Sequence, residues 1–151
     1  MIKQASIEEI KIVTELAILL WEDNEIDDLE NEIKEYITLN KGVTFIYFEE
    51  SVPVGFAQCN LRHDYVEGTE SSPVGYLEGI FIKKEYRNKG FAKELLSQCE
   101  RWAKSQGCDE FASDCELNNT ESMKFHLQVG FGEANRIICF KKKLCTLNCR
   151  V

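Results

Sequence analysis

The chain predicts an α/β fold: a mixed, mostly antiparallel sheet, split at one pair of parallel strands, with helices on both faces. Three observations predict it. Between Val43 and Ile82, three segments rich in β-branched and aromatic residues follow one another through polar breaks. The third of these, Val74–Ile82, leads through a short turn into a helical stripe and then into another apolar segment, Glu110–Cys115. Strand, crossover helix and strand imply parallel, right-handed pairing. Two further helical stripes precede the β region.

The elements follow in order. Ile2–Ala5 suits a short edge strand, and Ser6 with Glu9 forms a capping box. Ile7, Ile10, Val13, Ala17, Leu20 and Trp21 make one stripe, broken at Trp21–Asn24; Ile26, Leu29, Ile33, Tyr36 and Ile37 make a second, ending near Asn40-Lys41-Gly42. Val43–Glu49 and Val54–Leu61 read as a hairpin closed by Glu50–Pro53. His63–Pro73 is a polar loop. Phe91, Leu95, Leu96, Cys99, Trp102 and Ala103 form the crossover helix, stopped by Gly107. Asn118-Asn119 caps a helix through Val129. Arg136–Leu144 reads as the final strand.

The 151 residues fit one domain, drawn at 1–144, with 145–151 as a tail. No apolar run approaches the length of a membrane span, and Met1–Ala5 is too short and polar for a signal peptide, so the expected location is the cytoplasm. The seven cysteines form no regular framework, which fits free thiols in a reducing compartment; Cys145 and Cys149 form a C-x3-C pair without a reading. His63 and His126 lie at no metal-ligand spacing from a cysteine, so no metal is expected. A formal net charge of −8 disfavours nucleic acid and suits cationic small molecules. It equally suits plain solubility.

Chemistry concentrates after Val74. Arg87-Asn88-Lys89-Gly90-Phe91-Ala92 is a basic turn opening directly into a helix, where unpaired N–H groups and the dipole favour an anion. Dinucleotide and P-loop fingerprints are absent. Glu78 lies inside an apolar strand, with Val74, Tyr76, Ile80 and Ile82 at matching parity. Burial raises a carboxylate's pKa and suits it to accept a proton. Gly79 beside it suggests a bulge that frees backbone N–H groups. Asp114 ends the segment FASDC, at the sheet edge where ligands gather, and could hold an ammonium. Trp21, Glu22, Asp23, Asp64, Tyr65 and Glu67 offer aromatic faces beside carboxylates, which suits a polycation and equally an ordinary acidic surface. Asn119, Ser122 and Phe125 share the last helix, where His126 reads as structural.

Together these residues resemble the GCN5-related N-acetyltransferase superfamily. Its R/Q-x-x-G-x-G/A motif corresponds to Arg87–Ala92, and its N-x-x-S-x-x-F-H…G-F pattern runs from Asn119 to Phe131. A narrower resemblance, to aminoglycoside 6′-N-acetyltransferases, rests on Leu20–Asp23, on DYVEGTESSPVGYLEGIFI from Asp64 to Ile82, and on Phe111–Asp114 and Phe140–Lys142. The resemblance implies a sheet splayed at the parallel pair, acetyl-CoA as cosubstrate and a homodimer. It implies that Ile80, Phe81, Ile82, Arg87, Asn88, Lys89, Gly90, Phe91, Ala92 and Asn119 meet acetyl-CoA. It implies that Trp21, Glu22, Tyr65, Glu78 and Asp114 meet the aminoglycoside, with Glu78 and Asp114 catalytic. Two departures stand out. Asn135 occupies the place of an expected substrate-binding acid, and Phe125 stands where many members carry a tyrosine general acid. Acetylation of another small amine or a protein terminus, and acyl-CoA binding without catalysis, are the competing expectations.

Overall fold

The computed structural model describes residues 1–145. Five strands form one sheet in chain order: β1 (Ile2–Gln4), β2 (Gly42–Glu49), β3 (Val52–Arg62), β4 (Val74–Ile82) and β5 (Phe111–Ala112). All neighbours are antiparallel except β4 and β5, which are parallel. Helix α1 (Ile10–Leu20) and helix α2 (Ile26–Thr38) cover one face; α3 (Phe91–Ser105) is the crossover helix on the other, and α4 (Thr120–Gln128) follows β5. The expected mixed sheet with helices on both faces is therefore present.

Side-chain alternation sorts the core into two layers. Ile46 and Phe56 face α1 and α2, meeting Val13, Leu16, Leu29 and Ile33; Val54, Ala57, Cys59, Leu77 and Ile82 face α3, meeting Leu95, Leu96 and Cys99. Cys59, Cys99 and Cys108 are buried free thiols, whereas Cys115, Cys139 and Cys145 are exposed. The Ser6–Glu9 box forms as expected: Ser6 N–H donates to the Glu9 carboxylate at 2.8 Å, and Glu8 N–H donates to Ser6 Oγ at 3.3 Å. It caps a short 3-10 turn, Ile7–Glu9, that leads into α1. The Lys3 ammonium, then the Ser6 backbone N–H, hold the Glu9 carboxyl down at about 2.

The bulge expected at Gly79 is present and reverses the pattern of β4. Gln58 lies opposite Gly79 and Cys59 opposite Leu77, which leaves Glu78 as the extra residue. Before it, Val74 and Tyr76 share the α1/α2 face with Arg62 and Asn60, their register partners; after it, that face belongs to Gly79 and Phe81. Ile80 and Ile82 therefore point toward α3, away from Tyr76. The common parity assigned to Glu78, Ile80 and Ile82 fails because an inserted residue shifts every later side chain to the opposite face.

Two strand boundaries also differ from expectation. The Glu110–Cys115 segment shortens to Phe111–Ala112, because Ser113 and Asp114 turn their side chains to other strands and helices instead of continuing the ladder. The strand expected at Arg136–Leu144 does not form: residues 132–145 carry no helix or strand. Ile137, Ile138, Phe140 and Leu144 stand 68%, 80%, 91% and 87% exposed. Burying such a side chain normally contributes about 1.5–3 kcal/mol. Residues 146–151, with Cys149 and most of the expected tail, lie outside the described residues.

Candidate active site

One strand carries two chemically different edges of the site. On its far side from β3, β4 pairs with β5 only at Gly75 and Tyr76. From Leu77 onward that edge is splayed open. Lys83 N–H donates to Val54 O at 2.8 Å, while Ile82 O, on the opposite side, accepts from Arg87 Nε at 2.8 Å. Alternation then aims the N–H groups of Ile80 and Ile82 at the open edge.

The basic turn continues this edge. Asn88 and Gly90 adopt left-handed φ of 62° and 84°, and α3 begins without a side-chain cap. The first internal helix bond joins Glu94 N–H to Gly90 O at 3.1 Å. The amides of Phe91, Ala92 and Lys93 lie ahead of it. A Cβ built on Gly90 meets no atom within 4 Å, so the ground before these donors is open. Arg87 and Lys89 are exposed beside them, and Lys89 Nζ lies 3.5 Å from Glu49. Uncapped amides, two cations and an unobstructed approach fit a pyrophosphate. On the next helix Asn119 Oδ1 accepts from Ser122 N–H at 3.1 Å, a cap as expected. His126 contacts Ser122 O at 2.6 Å and Ser113 Oγ at 2.8 Å. It fastens α4 to the end of β5, in keeping with a structural role. Phe125 is half-buried beside it.

The opposite edge is made of side chains. Arg62 Nη2 donates to Glu78 Oε1 at 2.9 Å, and the same guanidinium lies 3.6 Å from the centre of the Tyr76 ring. Tyr76 OH donates to Asp114. Burial, then the hydrogen bond to Asp114, pushes the Tyr76 phenol well above its ordinary pKa, so it remains a donor. Glu78 and Asp114 thus meet through Arg62 and Tyr76 rather than directly. The apolar surroundings expected for Glu78 are absent: its side chain is 28% exposed and ion-paired.

Trp21 closes this edge from above. A Cβ on Gly79 would lie 2.7 Å from the Trp21 ring, so only glycine admits the indole there. Beside it a cleft of about 310 Å³ is lined by Trp21, Asn24, Glu32, Tyr36 and Gln58. Tyr36 OH donates to Cys59 O at 2.7 Å, and burial pushes its phenol pKa far up. Tyr65 stands 76% exposed on the 63–73 loop, and Glu22 is exposed beyond Trp21. Asn135 Nδ2 donates to Glu67 Oε1 at 3.0 Å, which places it against the same loop. Sequence reasoning missed Arg62 and Tyr36, and passed over Tyr76 as packing. An arginine closing an apolar strand was the available signal for Arg62.

An open-edged parallel pair, a bulge and an uncapped basic turn are the architecture of an acyl-CoA-dependent acyltransferase, and the acetyltransferase (GNAT) family matches residues 10–131; the chain belongs to that family. Within it, the chain is 40% identical over 124 residues to the aminoglycoside N(6′)-acetyltransferase type 1 of Salmonella typhimurium, covering 82% of this chain and 86% of the relative. It is 36% identical over 143 residues to the enzyme of that name from Acinetobacter haemolyticus, covering 95% and 98%. A solved structure of AAC(6′)-Iy in complex with the bisubstrate analog CoA-S-monomethyl-acetylneamine superposes with a TM-score of 0.91 at 36% identity, covering 95% of this chain and 98% of the other.

Proposed function

We propose that this chain transfers an acetyl group from acetyl-CoA to the 6′-amine of an aminoglycoside, and that it works as a cytoplasmic homodimer. The observation that carries the chemistry is the bulge at Glu78, which sets a carboxylate beside Arg62 on the strand whose edge beyond Tyr76 is splayed from β5. Bound acetyl-CoA supplies the activated acetyl group. The amides of Phe91–Lys93, with Arg87, Asn88, Lys89 and Gly90, hold its pyrophosphate, and Asn119 flanks it. Ile80, Phe81 and Ile82 run alongside its thioester arm.

Asp114, braced by Tyr76, orients the substrate ammonium, and Trp21, Glu22 and Tyr65 bind the sugar rings. Glu78 takes the ammonium proton, directly or through water. The freed lone pair attacks the thioester carbon, an N–C bond forms, the nitrogen gives its second proton to water, and the C–S bond breaks. The N–H groups of Ile80 and Ile82 stabilise the charge that develops on the carbonyl oxygen, at about 3 kcal/mol per donor. Phe125 cannot donate a proton, so the sulfur leaves as thiolate or takes a proton from water. The proposed steps use no metal ion. Asn135 brings no charge to the substrate loop but holds Glu67, which does. The amide product loses a positive charge, weakening any contact with RNA phosphates.

Purified protein, acetyl-CoA and a panel of kanamycin-type aminoglycosides, spermidine and peptides test the reading by thiol release. Release with the aminoglycosides, and an acetyl group located on the 6′-nitrogen by NMR, is expected. Release with spermidine or peptides alone would replace the substrate, and release with none would remove the enzymatic reading.

A further inference from the structure

The place of a cation in the proposed site is already taken by the chain itself. Glu78 and Asp114 are the carboxylates assigned to the substrate ammonium, and the Arg62 guanidinium engages one directly and the other through Tyr76. Arg62 Nη2 donates to Glu78 Oε1 at 2.9 Å, the guanidinium lies 3.6 Å from the centre of the Tyr76 ring, and the Tyr76 hydroxyl donates to Asp114. A carboxylate oxygen and an aromatic face are the groups that hold an ammonium. Here both are engaged by a side chain.

Arg62 is held as a displaceable cation and not as a fixed part of the core. Gln58, on the same face of β3, is buried and donates to Thr44 Oγ1 at 3.3 Å. Arg62 ends the strand, its side chain is 43% exposed, and Glu78 is its one hydrogen-bond acceptor among the described residues. A long side chain at a strand end can swing into water without moving the backbone, and an exposed ion pair is weak enough to exchange. An amine with a single charge gains only the contacts that Arg62 gives up. A polyamine gains more, because the carboxylates of Glu22 and Glu67 are exposed around the same site.

We infer that Arg62 fills the cation position in the free protein and is displaced when substrate binds, so that it selects multiply charged amines over singly charged ones. Discrimination of this kind comes from a competitor built into the site, which disfavours the wrong ligand more than the right one. Displacement also leaves Glu78 facing the ammonium whose proton it accepts, with no guanidinium on the same oxygen. This selection rests on the proposed aminoglycoside site and deepens it.

Two amines that share the reacting group test the selection: kanamycin, and 6-amino-6-deoxyglucose, which carries no second amine. In Arg62→Gln the KM for both should fall, and the ratio of the second KM to the first should shrink about tenfold, with circular dichroism retained. Arg62→Lys, which keeps the charge and loses the planar stack, should lie between the two proteins. An unchanged ratio overturns the selection, and a lower kcat with both KM values unchanged would make Arg62 a holder of Glu78 instead. Displacement is read on the wild-type protein by nitrogen-edited NMR of the arginine side chains, with the Arg62 Nε–H signal assigned by its loss in Arg62→Gln. Kanamycin should move that signal toward the position of a solvated arginine; kanamycin bound by calorimetry with the signal unmoved overturns displacement. Binding and movement without thiol release would refute the acetylation and leave the exchange standing. Binding to neither wild type nor Arg62→Gln would refute both.

Discussion

The two halves of the site solve recognition in opposite ways. The edge toward the basic turn offers backbone donors: the Ile80 and Ile82 amides and an uncapped helix start, on open ground. The other edge offers side chains already engaged with one another, from Glu78 through Arg62 and Tyr76 to Asp114. A backbone cradle suits a part of the substrate that never varies, such as a pyrophosphate. A linked side-chain cluster can be altered one residue at a time, which suits a site facing chemically varied amines.

The contrast can be broken at each edge. Glu78→Gln should have the largest effect, lowering kcat about 10²-fold or more while acetyl-CoA affinity holds; an unchanged single-turnover rate would remove Glu78 as the base. Gly90→Val comes next. The substitution meets no atoms, so its penalty is left-handed backbone strain of about 1–2 kcal/mol. About tenfold weaker acetyl-CoA binding by calorimetry is expected, with aminoglycoside binding unaffected; equal loss of both ligands would mean a disturbed fold.

Smaller effects should sharpen the contrast. Asp114→Asn and Tyr76→Phe should each raise the aminoglycoside KM several-fold and leave acetyl-CoA binding alone, and the double variant should be less than additive because one hydrogen bond joins the two. Additive effects would separate them. Glu9→Gln should leave the site untouched and keep the capping box, since a glutamine oxygen also accepts from Ser6 N–H, and should cost about 1 kcal/mol or less through the lost ion pair with Lys3. Because the folded-state pKa of Glu9 lies below its ordinary value of 4.5, its contribution is present above that value and is lost as pH falls toward about 2. Acid unfolding monitored in both proteins should show a shallower pH dependence in the variant.

The same division explains what could be read in advance. Helical stripes, the hairpin and the basic turn depend on residues close in sequence, and so does the bulge, marked by Gly79. The link from Glu78 to Asp114 depends on Arg62, sixteen positions before Glu78, and on which face Tyr76 occupies. A lone charge at a strand end looks the same whether it is solvated or paired. Arg136–Leu144 has the composition of a strand, which is local, yet it forms none, because no local pattern states which sheet edge is within reach. Glu110–Cys115 shows the reverse: its apolar residues promised a full strand, and the tertiary contacts of Ser113 and Asp114 ended it early.

The extra residue in β4 works like a shift of reading frame in space. Each side chain after Glu78 is assigned to its layer by a count that begins before it. Exchange of one side chain changes one contact. Removal of Glu78, the extra residue, would close the bulge and leave Ile80 and Ile82 toward α3 and Phe81 toward α1 and α2, taking away only the carboxylate. The bulge thus serves the placement of one side chain, and the layers on either side of it do not depend on it. Deletion of Glu78 should therefore yield folded protein with the low turnover expected of Glu78→Gln.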